Sequence, residues 1–281
     1  MNKNIDVDSD KLLSVDDLLK NLMNKIDGDF FSPDVKEFIN QLKQSQNLKS
    51  SSELYFDLER LDRKRDVNEC LRGINENMSN QSKKYYLGLV KTAEDCKKSS
   101  ILIKMPIVKY FFFLQLFILT RFIPKIFFLK EIPYIKDLRI YSQAEIMGRL
   151  HYCGFKILQF EKLENHLHFF IVIKVNNPNY QKIQDGLFIS LNRIGKFGKN
   201  FKVFKIRTMH PYSEFIHEYL IENHGFDRNG KIKNDFRTSG WGKFLRRTWL
   251  DELPQLINVL KGEMKLFGIR PVSQSYFNTL D

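Results

Sequence analysis

Two adjacent carboxylates, Asp251 and Glu252, stand directly before a segment with the apolar pattern of a helix. The residues with the i, i+3, i+4, i+7 spacing of one helix face are Leu253, Leu256, Ile257 and Leu260. Because Pro254 is tolerated only in a first turn, the helix is predicted to begin at about Asp251, with Asp251 at or near the N-cap. A carboxylate there could attack a phosphoanhydride if nearby cations offset its repulsion from the diphosphate, and the helix start could hold a phosphate.

Basic side chains lie on both sides of this carboxylate pair in the sequence. The arginines that flank it are Arg237, Arg246, Arg247 and Arg270. A further pair, Lys205 and Arg207, ends the second of two strand-like runs that flank the turn at residues 195–198, and this pattern predicts a β-hairpin. From the residues alone two interpretations stay open: a phosphate-handling site, or a helix-capping pair with surface arginines and a solvated strand edge.

These residues belong to the segments RIGKFGKNFKVFKIRTM (193–209) and DFRTSGWGKFLRRTWLDELPQLINVLKGEMKLFGIRP (235–271). Over residues 186–271 the chain resembles the bacterial sugar transferase family, the monotopic polyprenyl-phosphate phosphoglycosyl transferases that start capsule, O-antigen and exopolysaccharide assembly. The resemblance implies a compact cytoplasmic α/β domain that rests on amphipathic helices and is anchored by one re-entrant helix. The expected fold class is therefore α/β, in its α+β form, with a helical N-terminal region.

The same resemblance implies a role for each charged residue. Asp251 would be the nucleophile that attacks the β-phosphate of a UDP-sugar, releases UMP and forms a phosphosugar-aspartyl intermediate, from which polyprenyl (undecaprenyl) phosphate collects the phosphosugar. Glu252 would complete the dyad and, with Asp251, place Mg²⁺ on the diphosphate. Arg270 would hold a phosphate. The other predicted phosphate-binding residues are Arg193, Lys205, Arg207, Arg237 and Arg246.

The net charge of +12 belongs to the C-terminal two-thirds of the 281-residue chain. Residues 1–100 carry 17 Lys and Arg against 18 Asp and Glu, so the remainder carries 28 against 15, a net charge of +13. This charge suits an anionic membrane or a phosphorylated substrate, whereas no zinc-finger, helix-turn-helix or aromatic-basic motif supports nucleic-acid binding. Three cysteines cannot form a closed disulfide framework and the polar N-terminus is no secretory signal, so a reduced, cytoplasm-facing protein is expected.

Residues 105–129, MPIVKYFFFLQLFILTRFIPKIFFL, form the most hydrophobic segment. Its uncharged core, from Tyr110 to Thr120, has 11 residues, whereas a spanning helix needs about 20. Lysines and arginines bracket the core, Pro124 interrupts the segment, and its apolar residues occupy every side of a helix. The favoured interpretation is a re-entrant or interfacial helix at the cytoplasmic face of the bacterial inner membrane, with its cations at anionic lipid headgroups. The alternative is a buried core helix.

These patterns divide the chain into four predicted regions. They are a helical accessory region (1–100), a membrane-associated segment (101–131), a small α/β unit (132–180) and the sugar transferase catalytic domain (181–281). The accessory region includes a helical run from Ser52 to Ile74, and the small unit has a helix, SQAEIMGRLHYCGF, that ends at Gly154 before the strands KILQF and LHFFIVIKV. The catalytic domain is expected to be truncated, because family members continue after the position of Pro271 with another Arg-Pro-Gly segment.

The leading expectation is a membrane-associated phosphoglycosyl transferase that initiates polysaccharide biosynthesis. Its expected partners are a UDP-sugar, polyprenyl phosphate and anionic inner-membrane lipid, and its expected cofactor is Mg²⁺. Nucleic acid is not an expected partner, and a homo-oligomer stays an open option. The alternative is a catalytically weak or inactive truncated homologue that acts as a membrane-associated scaffold in polysaccharide assembly.

Overall fold

A computed structural model describes residues 54–64, 66–78, 85–96, 141–163, 167–268 and 271–277. The hydrophobic segment at 105–129 and the predicted phosphate ligand Arg270 lie outside the described residues. The described chain forms two compact units, one from the residues up to Lys91 with Cys153–Pro178, the other from Thr92–Tyr152 with the residues from Asn179 onward. Within the described ranges, no helix has the length and hydropathy needed to cross a bilayer.

The first unit is built on a four-stranded sheet. Its elements are β1 (Leu54–Arg60), α1 (Val67–Asn77), β2 (Tyr85–Val90), β3 (Phe155–Lys162) and β4 (His168–Lys174). The strand order is β1-β2-β4-β3, with β1 and β2 parallel and the other neighbours antiparallel. Every residue of β2 is buried, as expected for an interior strand that is covered on both faces.

The predicted helical run from Ser52 to Ile74 is wrong over its first part, because Leu54–Arg60 form strand β1. Apolar residues at alternate positions of this short stretch satisfy the strand period of two as well as the helical spacing. Parallel pairing with β2, itself a strand within the predicted helical region, decides between the two. The later part of the run is confirmed as helix α1, which begins after its N-cap residue Asp66.

The second unit combines short helices with a β-hairpin. Its elements are α2 (Ala93–Cys96), α3 (Gln143–Tyr152), β5 (Phe188–Ile194), β6 (Asn200–Ile206), α4 (His217–His224), α5 (Gly240–Thr248), α6 (Gln255–Leu260) and α7 (Gln274–Phe277). One-turn 3-10 segments cover Lys196–Gly198, Ser213–Ile216 and Leu250–Glu252. Strands β5 and β6 pair antiparallel across the turn at 195–199, so the predicted hairpin is confirmed.

The helix and two strands predicted between residues 142 and 175 are confirmed as α3, β3 and β4. They do not form one small unit, because α3 belongs to the second compact unit and both strands belong to the first. Gly154 lies between α3 and β3 with φ +85°, and a Cβ at this position would lie 2.2 Å from the Asn176 carbonyl oxygen. The turn therefore requires glycine.

Helix α6 begins at Gln255, so the prediction that Asp251 caps this helix is wrong. Asp251 lies instead in the 3-10 turn Leu250–Glu252. Pro254 has no N–H group to donate to the Leu250 carbonyl, which instead accepts the N–H of Leu253 at 3.3 Å. The tighter turn therefore ends before the α-helix starts, and the dyad precedes α6 as a separate element.

Candidate active site

A cleft of about 750 Å³ in the second unit contains the Asp251–Glu252 pair. Its walls come from the chain before and along β5, from the end of β6 and the residues after it, and from the connection between α5 and α6. The charged residues that line it are Lys182, Lys205, Arg207, Glu214, Arg246, Asp251 and Glu252. Asp251 is only 7% exposed, so protein atoms surround most of this side chain at the cleft.

Helix α5 carries the dyad at its C-terminal end and packs closely on Thr208, which follows β6. Ser239, the N-cap residue of α5, accepts the N–H of Gly242 at 3.0 Å and donates its hydroxyl to the Thr208 carbonyl at 3.0 Å. A Cβ at Gly242 would lie 2.0 Å from the same carbonyl oxygen, so this approach requires glycine. The helix ends at Thr248, and the left-handed φ of 60° at its C-cap residue Trp249 turns the chain into the 3-10 turn that carries the dyad.

Asn258 fixes α6 against β6. Its side chain is fully buried, and its Nδ2 donates to the Lys202 carbonyl at 2.7 Å and to the Glu263 carboxylate at 2.6 Å. Its Oδ1 accepts the N–H of Phe204 at 3.2 Å. Because Lys205 follows Phe204 directly, these bonds set the register that brings Lys205 to the dyad.

Two of the predicted phosphate-binding residues, Lys205 and Arg246, line the cleft beside the dyad. Lys205 Nζ lies 2.7 Å from Glu252 Oε1, so the cation and the second dyad carboxylate form an ion pair. Arg246 Nε donates to Thr208 Oγ1 at 2.9 Å, which fixes the guanidinium at the cleft wall. Cations that the protein has already positioned form stronger charge-assisted hydrogen bonds to a phosphate, because they need not be ordered when it binds.

Arg207 also lines the cleft, but its guanidinium is engaged by the main chain. Its Nε donates to the Gly186 carbonyl at 3.1 Å, and its Nη2 donates to the Gln184 carbonyl. Burial lowers the pKa of Arg207, and the charges of Glu214 and Asp185 partly offset this effect. Arg207 therefore holds the 184–186 segment at the cleft, while its contact with a phosphate stays a prediction.

Two more of the predicted phosphate-binding residues lie outside the lining of the cleft. Arg193 and Arg237, both described, are not among the residues that line the cleft. Arg193 donates to the Asn192 carbonyl, while Arg237 forms an ion pair with Asp235 at 2.7 Å and contacts His217 Nδ1 at 2.8 Å. Arg237 is therefore engaged by Asp235 and His217, and its closeness to Asp251 in sequence does not make it a residue of the cleft wall.

Sequence reasoning missed Thr208, Glu214 and Asn258. Asn258 carries a local signal, since it is a polar residue inside the apolar run of α6. Thr208 and Glu214 carry none, because their place at the cleft depends on how distant parts of the chain pack.

The arrangement can stabilise a diphosphate next to a nucleophilic carboxylate. Cations from three separate parts of the chain face a dyad whose first member is buried. Such a preorganised group of cations offsets the repulsion between a carboxylate and an anionic substrate. This is the chemistry that phosphoryl transfer to a protein carboxylate needs.

Comparison with known proteins identifies a family that the C-terminal part of the chain resembles. The sequence model of the bacterial sugar transferase family matches residues 166–281, which include every charged residue of the cleft. The resemblance found in the sequence is therefore confirmed. This match covers less than half of the chain.

Three relatives of the sugar transferase region are between 36% and 44% identical to it over the aligned residues. An undecaprenyl-phosphate galactose phosphotransferase of Salmonella typhimurium is 44% identical over 85 residues, 28% of this chain and 18% of that protein. The exopolysaccharide production protein ExoY of Rhizobium meliloti is 36% identical over 107 residues, 36% of this chain and 47% of that protein. A UDP-N-acetylgalactosamine-undecaprenyl-phosphate N-acetylgalactosaminephosphotransferase of Aeromonas hydrophila is 38% identical over 113 residues, 40% of this chain and 22% of that protein. The chain thus spans less than half the length of each of these relatives.

Proposed function

We propose that this chain transfers a phosphosugar from a UDP-sugar to polyprenyl (undecaprenyl) phosphate and so initiates the assembly of a polysaccharide. The observation that carries the proposal is the Asp251–Glu252 dyad of the sugar transferase region, which lies in a cleft with Lys205 and Arg246. The names of the relatives, two of which act on undecaprenyl phosphate, support the same class of reaction.

In the proposed first step, the Asp251 carboxylate attacks the β-phosphorus of the UDP-sugar. A bond forms between a carboxylate oxygen and phosphorus, the bond from phosphorus to the bridging oxygen breaks, and UMP leaves with that electron pair. In the second step, a phosphate oxygen of polyprenyl phosphate attacks the same phosphorus. The aspartyl–phosphorus bond then breaks and Asp251 returns to its carboxylate form.

The other cleft residues would position charge around this exchange. Arg246, fixed on Thr208, would bind the diphosphate as negative charge moves to the departing UMP. Lys205 would hold Glu252 in place through their 2.7 Å ion pair, so that both dyad carboxylates keep a defined position. Burial of Asp251 would limit the access of water, which competes with polyprenyl phosphate for the phosphorus.

We propose Mg²⁺ as the cofactor of this reaction. In the described part of the chain, no group of three or more His, Cys, Asp or Glu side chains could hold a metal ion. Mg²⁺ commonly uses only one or two carboxylates together with substrate phosphates. Glu252 and Asp251 would supply those carboxylates, and the bound ion would neutralise charge on the diphosphate.

We further propose that the sugar transferase region rests on anionic lipid through an exposed apolar strip on and just before α6. The strip consists of Leu253, Leu256, Ile257 and Leu260, which are 52%, 47%, 49% and 88% exposed. Basic residues flank it in sequence, with Arg246 and Arg247 before it and Lys261 and Lys265 after it. Apolar side chains with neighbouring cations are typical of a helix that lies at a membrane interface. A polyprenyl acceptor is itself a lipid, so this placement would bring it close to the dyad.

The proposed reaction is tested by UMP release from a panel of UDP-sugars, with polyprenyl phosphate and Mg²⁺, in detergent. We expect the wild type to release UMP and Asp251→Asn to lose at least about 10³-fold in rate, because the amide cannot act as the nucleophile. Glu222→Gln, which removes a negative charge from an exposed position on α4, is the matched control and should act like the wild type.

Two outcomes would contradict the proposal. A chain that releases no UMP from any donor would favour the scaffold alternative. Undiminished release by Asp251→Asn would assign the nucleophile to another group, and mass spectrometry of the trapped phosphosugar adduct would then locate it.

A further inference from the structure

Glu214 is an unexplained carboxylate at the cleft. Among the described residues that line the cleft, it is the one acidic residue outside the Asp251–Glu252 pair. It is exposed, it lies in the 3-10 turn Ser213–Ile216, and its charge acts on Arg207. The proposed catalytic steps give it no role.

The chemistry of Glu214 suits an uncharged polyol. A carboxylate repels a diphosphate, whereas it accepts hydrogen bonds from hydroxyl groups at several lone pairs. A UDP-sugar offers hydroxyl groups in two places, the transferred sugar and the ribose of the nucleotide. Sites that hydrogen-bond a substrate hydroxyl discriminate strongly against donors that lack it or orient it differently.

The turn that carries Glu214 is held by α3, a helix that precedes the family-matched residues 166–281. Gly148 of α3 lies against the main chain of Tyr212, and a Cβ there would be 2.1 Å from the Tyr212 carbonyl oxygen. The Arg149 guanidinium lies 4.1 Å from the centre of the Tyr212 ring. Arg149 is itself fixed by the buried carboxylate of Glu145 at 2.8 Å.

Tyr212 needs this support because its backbone is left-handed, with φ 62°, which costs energy in a residue with a large side chain. The Tyr152 ring of α3 also packs edge-on against Tyr212 and Phe215, with ring centres 5.2 Å and 5.0 Å apart. Helix α3 therefore positions Tyr212, which caps this turn, and Phe215, which follows Glu214.

We propose that Glu214 binds hydroxyl groups of the transferred sugar and so determines which UDP-sugar is used, and that α3 positions it through Tyr212. The inference rests on the proposed function, since it names a specificity residue for that same cleft. It gives the segment before the family-matched region an indirect part in donor selection, through the position of Glu214.

The first experiment compares Glu214→Gln with the wild type on UDP-glucose, UDP-galactose and their N-acetylated forms. We expect KM for the preferred donor to rise about tenfold, because the amide lacks the negative charge of the carboxylate and replaces one of its two acceptor oxygens by a donor. The preference among epimers should shrink. Inhibition by the product UMP should stay unchanged. Glu218→Gln, on the exposed face of the adjoining α4, is the matched control and should leave both quantities unchanged.

Two results would overturn the assignment. An equal loss with every donor, together with weaker UMP inhibition, would place Glu214 at the ribose. Unchanged kinetics with all four donors would remove it from substrate binding.

The second experiment tests the role of α3 with Gly148→Ala, whose added methyl group must displace Tyr212. We expect its KM for the preferred donor to rise while kcat changes by less than about twofold, and we expect no additional rise in a Glu214→Gln background. Gly73→Ala, where nothing lies within 4 Å of the new methyl group, is the control. If the two substitutions raise KM independently, so that their effects add, α3 does not act through Glu214. Arg149→Lys is a milder variant that can be used if Gly148→Ala fails to fold.

Donor binding measured by thermal shift separates this inference from the proposed reaction. If the wild type releases no UMP but is stabilised selectively by one UDP-sugar, and Glu214→Gln loses that selectivity, the proposed reaction fails while the role of Glu214 stands. If the wild type releases UMP and Glu214→Gln keeps the same donor preference, only the role of Glu214 fails.

Discussion

Each cation near the predicted site takes its role from its partner rather than from its position in the sequence. Lys205 is 46 residues from Asp251, yet its ion pair with Glu252 brings it to the dyad. Arg237 is much nearer in sequence, but Asp235 holds it outside the cleft lining. Arg207 is at the cleft and yet gives two N–H groups to backbone carbonyls. These three cations look equivalent in the sequence, but their hydrogen-bond and ion-pair partners in the structure give them different roles.

The Asp235–Arg237 pair leads to a prediction about pH. Burial raises the pKa of Asp235, but the hydrogen bonds and charge of Arg237 outweigh it, so the pKa lies below its ordinary value of 3.8. A carboxyl group whose pKa is lower in the folded state stabilises the protein above its unfolded pKa, and this contribution is lost as pH falls through the folded value. Asp235→Asn should therefore lower the free energy of unfolding by less than about 1 kcal/mol near neutral pH, because the pair is partly exposed.

The difference between Asp235→Asn and the wild type should shrink as the pH falls below 3.8. Urea unfolding of both proteins in detergent, between pH 7 and pH 3, measures it. Asp227→Asn is the control, since its amide oxygen can still accept the N–H groups of Asn229 and Lys231. A difference that stays constant over the whole range would show that the charge of Asp235 is not responsible.

An amphipathic helix usually buries its apolar face against the protein, but α6 buries a polar residue and exposes its apolar face. The apolar strip on and before it is exposed, whereas the polar residue Asn258 is fully buried. The buried side chain meets Phe204, Lys202 and Glu263, so each of its polar atoms has a partner. The helix is thus held to the hairpin by hydrogen bonds, and its apolar face is left for another contact.

This arrangement predicts a large effect for Asn258→Ala. The variant leaves the Phe204 N–H and the Lys202 carbonyl without their partner, at a cost of about 1–3 kcal/mol in the free energy of unfolding for each buried group that stays unsatisfied. It should also lower kcat for UMP release, since the register that pairs Lys205 with Glu252 is weakened. Denaturant unfolding and UMP release measure the two effects.

Asn223→Ala, on the exposed face of α4, provides the comparison for Asn258→Ala. We expect it to change the free energy of unfolding by less than about 0.5 kcal/mol, as exposed substitutions usually do. Equal stability of the two variants would mean that Asn258 does not anchor α6.

Large apolar side chains are exposed in the part of the chain that surrounds the dyad in sequence. Besides the strip on α6, the side chains of Phe244, Trp249, Leu266 and Phe267 are between 43% and 85% exposed. If these side chains form one surface patch, a contact with a partner or a membrane is expected there. The flanking cations favour anionic lipid as the partner.

Trp249 allows this contact to be measured independently of the segment at 105–129. The chain has two tryptophans, so Trp241→Phe leaves Trp249 as the only one. In vesicles of phosphatidylglycerol, we expect its emission to shift to shorter wavelength and to be quenched by brominated lipid chains. Leu256→Gln with Leu260→Gln, both at exposed positions, should reduce the quenching because the apolar strip would bind lipid less strongly.

A protein that sediments with vesicles while its Trp249 emission stays unchanged would contradict lipid contact at this face. A change in emission that depends on protein concentration and needs no vesicles would instead indicate a second copy of the chain as the partner.

Much of the catalytic region is determined by local sequence. Alternation on both sides of a glycine turn specifies the β5–β6 hairpin, and capping and periodicity specify α3. The segment around Asp251 and Glu252 carries the resemblance to the bacterial sugar transferase family. These features depend on residues that are neighbours in the chain, so their signals are complete in the sequence.

The tertiary structure decided what depends on distant residues. Leu54–Arg60 became a strand because β2 pairs with it, and α6 turned Asn258 inward because the polar groups of β6 lie on that side. Lys205 and Glu214 reach the cleft through contacts with segments far away in the chain. A local pattern can be satisfied by more than one conformation, and the choice among them is made by hydrogen bonds and packing that form only when those segments meet.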